Sequence, residues 1–244
     1  MKVVGIIPAR YGAIRLPGKP LIDLLGKTMI RRVWERASQA STLDRVVVAT
    51  EDKRIVREVE SWGGEAVLTS KSCKSGTDRV AEAARRTGGD IIINIQGDEP
   101  LIPPAMIDEA VRPLLRDKHL VMATLRTRLC ERSDWDKPQV VKVAVDRAGY
   151  ALYFSRSLLP FPRNTTRDLV VYKHIGLYAF RSDFLKVYSR LQPTPLERAE
   201  GLEQLRVLEH GYRILVPETR LDSIAVDTPA DAARVRAILK KGKK

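Results

Sequence analysis

Apolar residues along this chain fall into short unbroken runs, separated by stretches in which they recur every three or four positions. Val3, Val4, Ile6 and Ile7 form the first run, closed by Pro8. A run apolar on both faces fits a strand covered from both sides in a parallel sheet. The same reading applies to 45–50 (RVVVAT) and 90–96 (DIIINIQ), with a shorter strand at 65–69. Between the runs the period becomes helical. Over 28–40, Met29, Ile30, Val33 and Ala37 share one side, while Arg31, Arg32, Glu35 and Arg36 lie elsewhere. The stretch 52–62 is helical in period and stops at Gly63 and Gly64, 80–86 forms another helix, and Pro103 and Pro104 open one that runs to about 116. Alternation of this kind predicts right-handed parallel connections.

From Leu120 the pattern changes. Segments 120–129, 140–145 and 150–154 read as β, with DRAG at 146–149 as a hairpin turn. Such a meander continues a parallel sheet poorly, so about 120–190 is expected to be an inserted antiparallel lobe that also supplies a dimer face. Segment 171–180 reads as a strand with His174, Gly176 and Tyr178 on one face. Thr194, Pro195 and Glu197 start a helix expected to run to His210 and end at Gly211. Strands are expected at 212–216 and 223–226, then a terminal helix capped by Thr228, Pro229 and Asp231. The fold class predicted is α/β: one Rossmann-like domain over 1–244, its mainly parallel sheet flanked by helices.

Composition narrows the function classes. At 44% hydrophobic and 30% charged residues the chain is an ordinary globular one rather than a disordered segment. A formal net charge of +13 favours anionic ligands, nucleic acid or an acidic surface. Nucleic acid is the weaker reading, because no helix-turn-helix, zinc-finger or aromatic stacking pattern is present and the charge is not gathered in one strip. Cys73 and Cys130 lack CxxC spacing, which fits a reducing compartment and no metal cage. The first apolar run is too short for a signal-peptide core and no stretch reaches the length of a membrane span, so a cytoplasmic protein that does not enter a membrane is expected.

The chemistry begins where the first strand empties into Arg10, Gly12, Arg15, Gly18 and Lys19. Glycines let backbone approach a ligand, and fixed cations neutralise phosphate oxygens, so a polyphosphate fits this loop; scattered surface charge is the plainer alternative. No G-x-G-x-x-G follows the strand, and Gly26, Lys27 and Thr28 would need a glycine where Leu21 stands to complete a Walker loop. Asp98, in the QGDEP segment at the carboxyl end of the third long strand, stands where a divalent metal would be held, or closes a turn. Ser75, Gly76 and Thr77 stand at a helix start, where capping alone accounts for part of the pattern. Arg156 and Arg163 are surface charge or forks for a carboxylate. His174 and Tyr178 flank the gap left by Gly176 and suggest a pocket wall, with a packed core histidine as the alternative. Glu203 and Gln204 lie off the apolar stripe of their helix. Asp227 is one place too early to be needed as a helix cap.

Several strings occur in order along nearly the whole chain: IIPARYGAIRLPGKPL, INIQGDEPLI, YALYFSRS, KHIGLYAF, LEQLRVL and AVDTP. Together they resemble the CMP-Kdo synthetases (3-deoxy-manno-octulosonate cytidylyltransferases) among the sugar nucleotidyltransferases. The resemblance implies transfer of CMP from CTP to 3-deoxy-manno-octulosonate (Kdo) with release of pyrophosphate, for lipopolysaccharide biosynthesis, by a homodimer using Mg²⁺. It implies that Pro8, Ala9, Arg10, Arg15, Lys19, Ser75, Gly76 and Asp98 bind nucleotide, that Asp98 and Asp227 hold the metal, and that Gln96, Arg156, Arg163, His174, Tyr178, Glu203 and Gln204 contact the sugar acid. Arg10, Arg15, Lys19, Asp98 and Asp227 would carry catalysis. Two departures stand out: Gln139 follows Pro138 where many relatives have asparagine, and Cys73 and Lys74 precede S-G-T. Activation of another 2-keto sugar acid, such as sialic acid or an amino-substituted Kdo, is the nearest competing activity.

Overall fold

A computed structural model describes residues 1–12, 16–164 and 169–241. Its strands are β1 (Val3–Ala9), β2 (Arg45–Thr50), β3 (Glu65–Leu68), β4 (Ile91–Asn94), β5 (Met122–Arg128), β6 (Lys142–Val145), β7 (Ala151–Ser155) and β8 (Tyr172–Arg181). Among the described residues they form one sheet in the order β3-β2-β1-β4-β8-β6-β7, with β5 also paired to β8. The pairs joining β3, β2, β1 and β4 are parallel, and every pair involving β5 to β8 is antiparallel. The antiparallel strands therefore extend the parallel sheet through the long strand β8.

The continuous apolar runs serve two cores at once. Val3, Ile7, Ile91, Ile93, Ile175 and Leu177 face one cluster, filled from α1 (Met29–Ala37), α2 (Lys53–Ser61) and α4 (Pro104–Arg116). The alternate residues Val4, Ile6, Ile92 and Phe180 face a second, filled from α3 (Gly76–Thr87), α5 (Ser182–Tyr188) and α7 (Gln204–Glu209). Successive strand residues point to opposite faces, so a strand covered on both faces has no position left for a polar residue until it ends. Burying each large aliphatic side chain contributes about 1.5–3 kcal/mol.

Three expectations are corrected. The helix expected over 194–210 is two short ones, α6 (Pro195–Glu200) and α7, divided at Gly201, which takes a left-handed conformation at φ 62°. Segment 212–216 forms only isolated bridges: Leu215 is wedged between Ala123 and Tyr150, donating to the Met122 carbonyl and accepting from the Thr124 N–H on one side, while Ile214 accepts from Ala151 and Val216 donates to Gly149 on the other. Segment 223–226 is not a strand, and its last residue donates its N–H to the Asp98 carbonyl at 2.9 Å. The expected hairpin does form, with Gly149 at φ 85° and the Asp146 carboxylate accepting from the N–H groups of Ala148 and Tyr150.

The chain's end is anchored to its beginning. A third cluster packs Val226, Ala232 and Val235 against Leu24 and Met29, so helix α8 (Pro229–Lys241) lies beside the segment that follows the first loop. Arg236 adds two bonds to the Asp23 carbonyl, at 3.0 and 2.7 Å. This contact brings Asp227 to the mouth of β1.

Candidate active site

Strands β1 and β4 end side by side, and their loops pack closely. A Cβ on Gly97 would lie 2.7 Å from the Pro8 carbonyl oxygen, a contact no larger residue could make without shifting backbone. Glycine there lets Asp98 come forward beside the loop after β1. That loop folds back on itself: Gly18, at φ 68°, donates its N–H to the Tyr11 carbonyl, and the Arg54 guanidinium stacks 3.4 Å over the Tyr11 ring. Lys19 then opens a short 3₁₀ turn.

The Lys19 ammonium lies 2.7 Å from Asp98 Oδ2 and 2.8 Å from Asp227 Oδ1. Residues separated by 79 and 208 positions in sequence thus meet on one cation. The Lys19 side chain is only 13% exposed, while the two aspartates retain 29% and 39%. Burial opposes a charge on Lys19, but the Asp98 charge and hydrogen bonds to both carboxylates outweigh it and hold its pKa above the ordinary lysine value. Thr228 and Asp231 form the helix start beyond Asp227, with the Asp231 carboxylate accepting from the N–H groups of both Asp227 and Thr228. The cap is thus made by Asp231, and the Asp227 side chain reaches the Lys19 ammonium.

The other predicted phosphate ligands lie nearby or outside what is described. Arg10 is exposed and donates to the Cys73 carbonyl at 3.1 Å, tying the loop after β1 to the loop before α3. Arg15 lies outside the described residues. Ser75 caps α3 in a reciprocal box, its hydroxyl accepting from the Asp78 N–H and its own N–H donating to the Asp78 carboxylate, each at 3.1 Å. Gly76 follows, close enough to Pro8 that an added Cβ would meet its ring at 3.7 Å.

A trench continues from this loop across β8. One cavity of about 370 Å³ is lined by Gly76, Gln96, His174, Gly176, Tyr178, Glu203 and Gln204. It shares His174 and Gly176 with an adjoining space of about 610 Å³ that reaches Glu99 and Asp227. Predicted residues from four separate segments of sequence thus share one cleft. The pairing of Asn94 with Tyr178 across β4 and β8 sets its floor. Gln96 donates to the Gly176 carbonyl at 2.8 Å, and the Tyr178 hydroxyl donates to Gln204 Oε1 at 3.0 Å. The break at Gly201 aims Glu203 and Gln204 into the cleft, which an unbroken helix would not have predicted.

The cleft lowers charge rather than concentrating it. Burial pushes the His174 imidazole down to about 3 and raises the Tyr178 phenol well above its usual range. Glu203 is raised by burial, with the charge of Asp78 adding to the effect. Glu99 is pushed up to about 7, by burial first and then by the neighbouring Asp98 charge.

Two predicted sugar contacts lie elsewhere. Arg156 donates to the carbonyls of Glu200, Pro138 and Gly201, at 2.6, 2.9 and 3.3 Å, bracing the helix break from behind. Arg163 is exposed beyond β7 and lines neither cavity. Asn94 and Lys173 line the cleft without having been singled out from sequence, and Thr77, read there as part of a helix start, lines it with them. Asn94 had a signal, as the one polar residue inside an isoleucine run.

A nucleotide-sized trench at the carboxyl ends of a parallel sheet, with a lysine and two aspartates at its mouth, defines a nucleotidyltransferase. The chain matches the Cytidylyltransferase family over residues 4–214. It is 52% identical over 251 residues to a 3-deoxy-manno-octulosonate cytidylyltransferase of Geotalea uraniireducens (strain Rf4), covering 99% of this chain and 100% of that one. The enzyme of the same name from Geobacter sulfurreducens is 50% identical over 250 residues, covering 98% and 100%. A solved CMP:2-keto-3-deoxy-manno-octonic acid synthetase complexed with CTP superposes with a TM-score of 0.95 at 43% identity, over 99% of this chain and 100% of that one. The chain belongs to the 3-deoxy-manno-octulosonate cytidylyltransferase family.

Proposed function

We propose that this protein transfers CMP from CTP to the anomeric hydroxyl of Kdo, giving CMP-Kdo and pyrophosphate for lipopolysaccharide biosynthesis. The observation that carries the reading is the meeting of Lys19, Asp98 and Asp227 beside a cleft lined by Gln96, His174, Tyr178, Glu203 and Gln204. Transfer of a nucleotidyl group needs charge neutralised around the α-phosphorus and on the departing pyrophosphate, and it needs the nucleophile held in line. Arg10, Arg15 and Lys19 bind the triphosphate and stabilise the leaving group. Pro8, Ala9, Ser75 and Gly76 form the nucleotide wall. Gln96, His174, Tyr178, Glu203 and Gln204 hold the sugar acid so that its hydroxyl faces the phosphorus. Arg156 supports the helix break that presents Glu203.

Asp98 and Asp227 suit Mg²⁺. They offer hard, partly exposed carboxylate oxygens that already converge on one cation, the Lys19 ammonium. Mg²⁺ bound by one or two carboxylates takes its remaining ligands from phosphates and water. When bound, the ion would lower the pKa of the attacking hydroxyl and polarise the α-phosphate. Lys19 would then be free to turn from the carboxylates toward phosphate. The working form is a homodimer in the cytoplasm, supported by the exposed Leu152 and Phe161 on the antiparallel side.

Pyrophosphate release measured across CTP and UTP, each with Kdo, an amino-substituted Kdo and sialic acid, tests the reading. The expected result is turnover with CTP and Kdo that exceeds every other combination by at least about a hundredfold. Faster turnover with sialic acid, or equal use of UTP, would overturn it.

A further inference from the structure

Behind the cleft wall, Thr124 on β5 is fully buried and its hydroxyl touches two groups. Thr124 Oγ1 lies 2.9 Å from His174 Nε2 and 2.9 Å from the Ile175 carbonyl oxygen. A carbonyl can only accept, so the single hydroxyl proton goes to Ile175. Nε2 must therefore carry the imidazole proton and donate it to the Thr124 oxygen. A neutral ring has one such proton, so Nδ1 is left with a bare lone pair. Burial keeps the ring neutral. Its plane is held by Phe154, packed edge-on at 4.8 Å between centroids, and by Tyr178 at 5.5 Å.

We propose that Thr124 is a positioning residue that locks His174 in the Nε2–H tautomer, so that Nδ1 accepts a hydrogen bond from a sugar hydroxyl. The lock selects for a donor at that point of the cleft. A sugar acid carrying a keto or O-methyl group there would bring two lone pairs together and bind poorly. The role in substrate selection rests on the reading that this cleft holds the sugar acid, whereas the tautomer is a property of the ligand-free protein.

Two measurements separate these parts. In ligand-free protein labelled with ¹⁵N-histidine, with the His174 signals assigned by their loss in His174→Gln, the wild type is expected to show protonated Nε2 and bare Nδ1. Thr124→Ser should preserve that state and Thr124→Val should mix the tautomers. A wild-type ring protonated at Nδ1 overturns the lock, whatever the enzyme's substrate proves to be. In steady-state assays Thr124→Val should raise KM for Kdo about tenfold while KM for CTP stays within about twofold, and Thr124→Ser should restore wild-type values. If Thr124→Val fails to fold, Thr124→Ala serves for both measurements. Mixed tautomers with an unchanged KM for Kdo would overturn the role in binding while leaving the lock in place.

Discussion

Where β1 and β4 open, the chain presents formal charges: an ammonium between two carboxylates, all carried on loops and all partly reachable from solvent. Around β8, a short way across the same sheet, it presents an imidazole and a phenol from the strand and the amides of Gln96 and Gln204 beside them, all uncharged side chains, with His174 and Gln204 buried. The placement follows from what each group must do. Charges are costly to bury unpaired, so groups that meet phosphate sit at loop ends where they pair with one another until a ligand arrives. Neutral donors and acceptors can be buried on strands, where neighbours fix their direction and a wrong ligand leaves them unsatisfied. In the proposed function, one sheet thus separates the chemistry of transfer from the recognition of the acceptor.

Variants should divide along the same line. Asp98→Asn and Asp227→Asn remove charge from the mouth and should each lower turnover on the order of a thousandfold, with thermal melting close to wild type. Near-normal turnover in both would refute the metal assignment. Lys19→Met should cost about a hundredfold in turnover and raise KM for CTP. Tyr178→Phe leaves Gln204 Oε1 without its donor and should raise KM for Kdo about fivefold.

The smallest effect lies outside both regions. Asp108 accepts from the N–H and hydroxyl of Ser41 and of Thr42, at 3.2, 2.8, 2.8 and 2.8 Å. Burial opposes its charge, but these hydrogen bonds outweigh it and hold its pKa below the ordinary value. A lowered pKa gives stability that is present above the unfolded value and lost as pH falls through the folded one. Asp108→Asn should lower stability at pH 7 by about 2 kcal/mol, leave both KM values unchanged, and flatten the acid side of the melting-temperature profile.

Strands β1, β2 and β4 and their helices were legible because burial on both faces leaves an unbroken apolar run, and few other structures produce one, whereas the half-exposed edge strand β3 left only a short one. Asp98 stood out at the end of a strand and Asp227 one place before a helix cap, although 223–226, expected to be the strand leading to it, is not one. The division of helix 194–210 was marked by Gly201, but apolar periodicity continues across it and hides the break. The backbone conformation there is supported by Arg156, far away in sequence, so the local pattern cannot report it. Leu215 looks like strand because it is apolar and extended, and whether it gains a ladder depends on the space between β5 and β7. Thr124 gave no sign, since its role depends on one hydroxyl having a carbonyl and an imidazole as neighbours.

The separation of transfer from recognition is tested most directly by measuring KM for CTP and for Kdo side by side in Lys19→Met and Tyr178→Phe. The account predicts that the first raises KM for CTP at least about fivefold while leaving that for Kdo within about twofold, and that the second does the reverse. Equal shifts in both constants for both variants would contradict it.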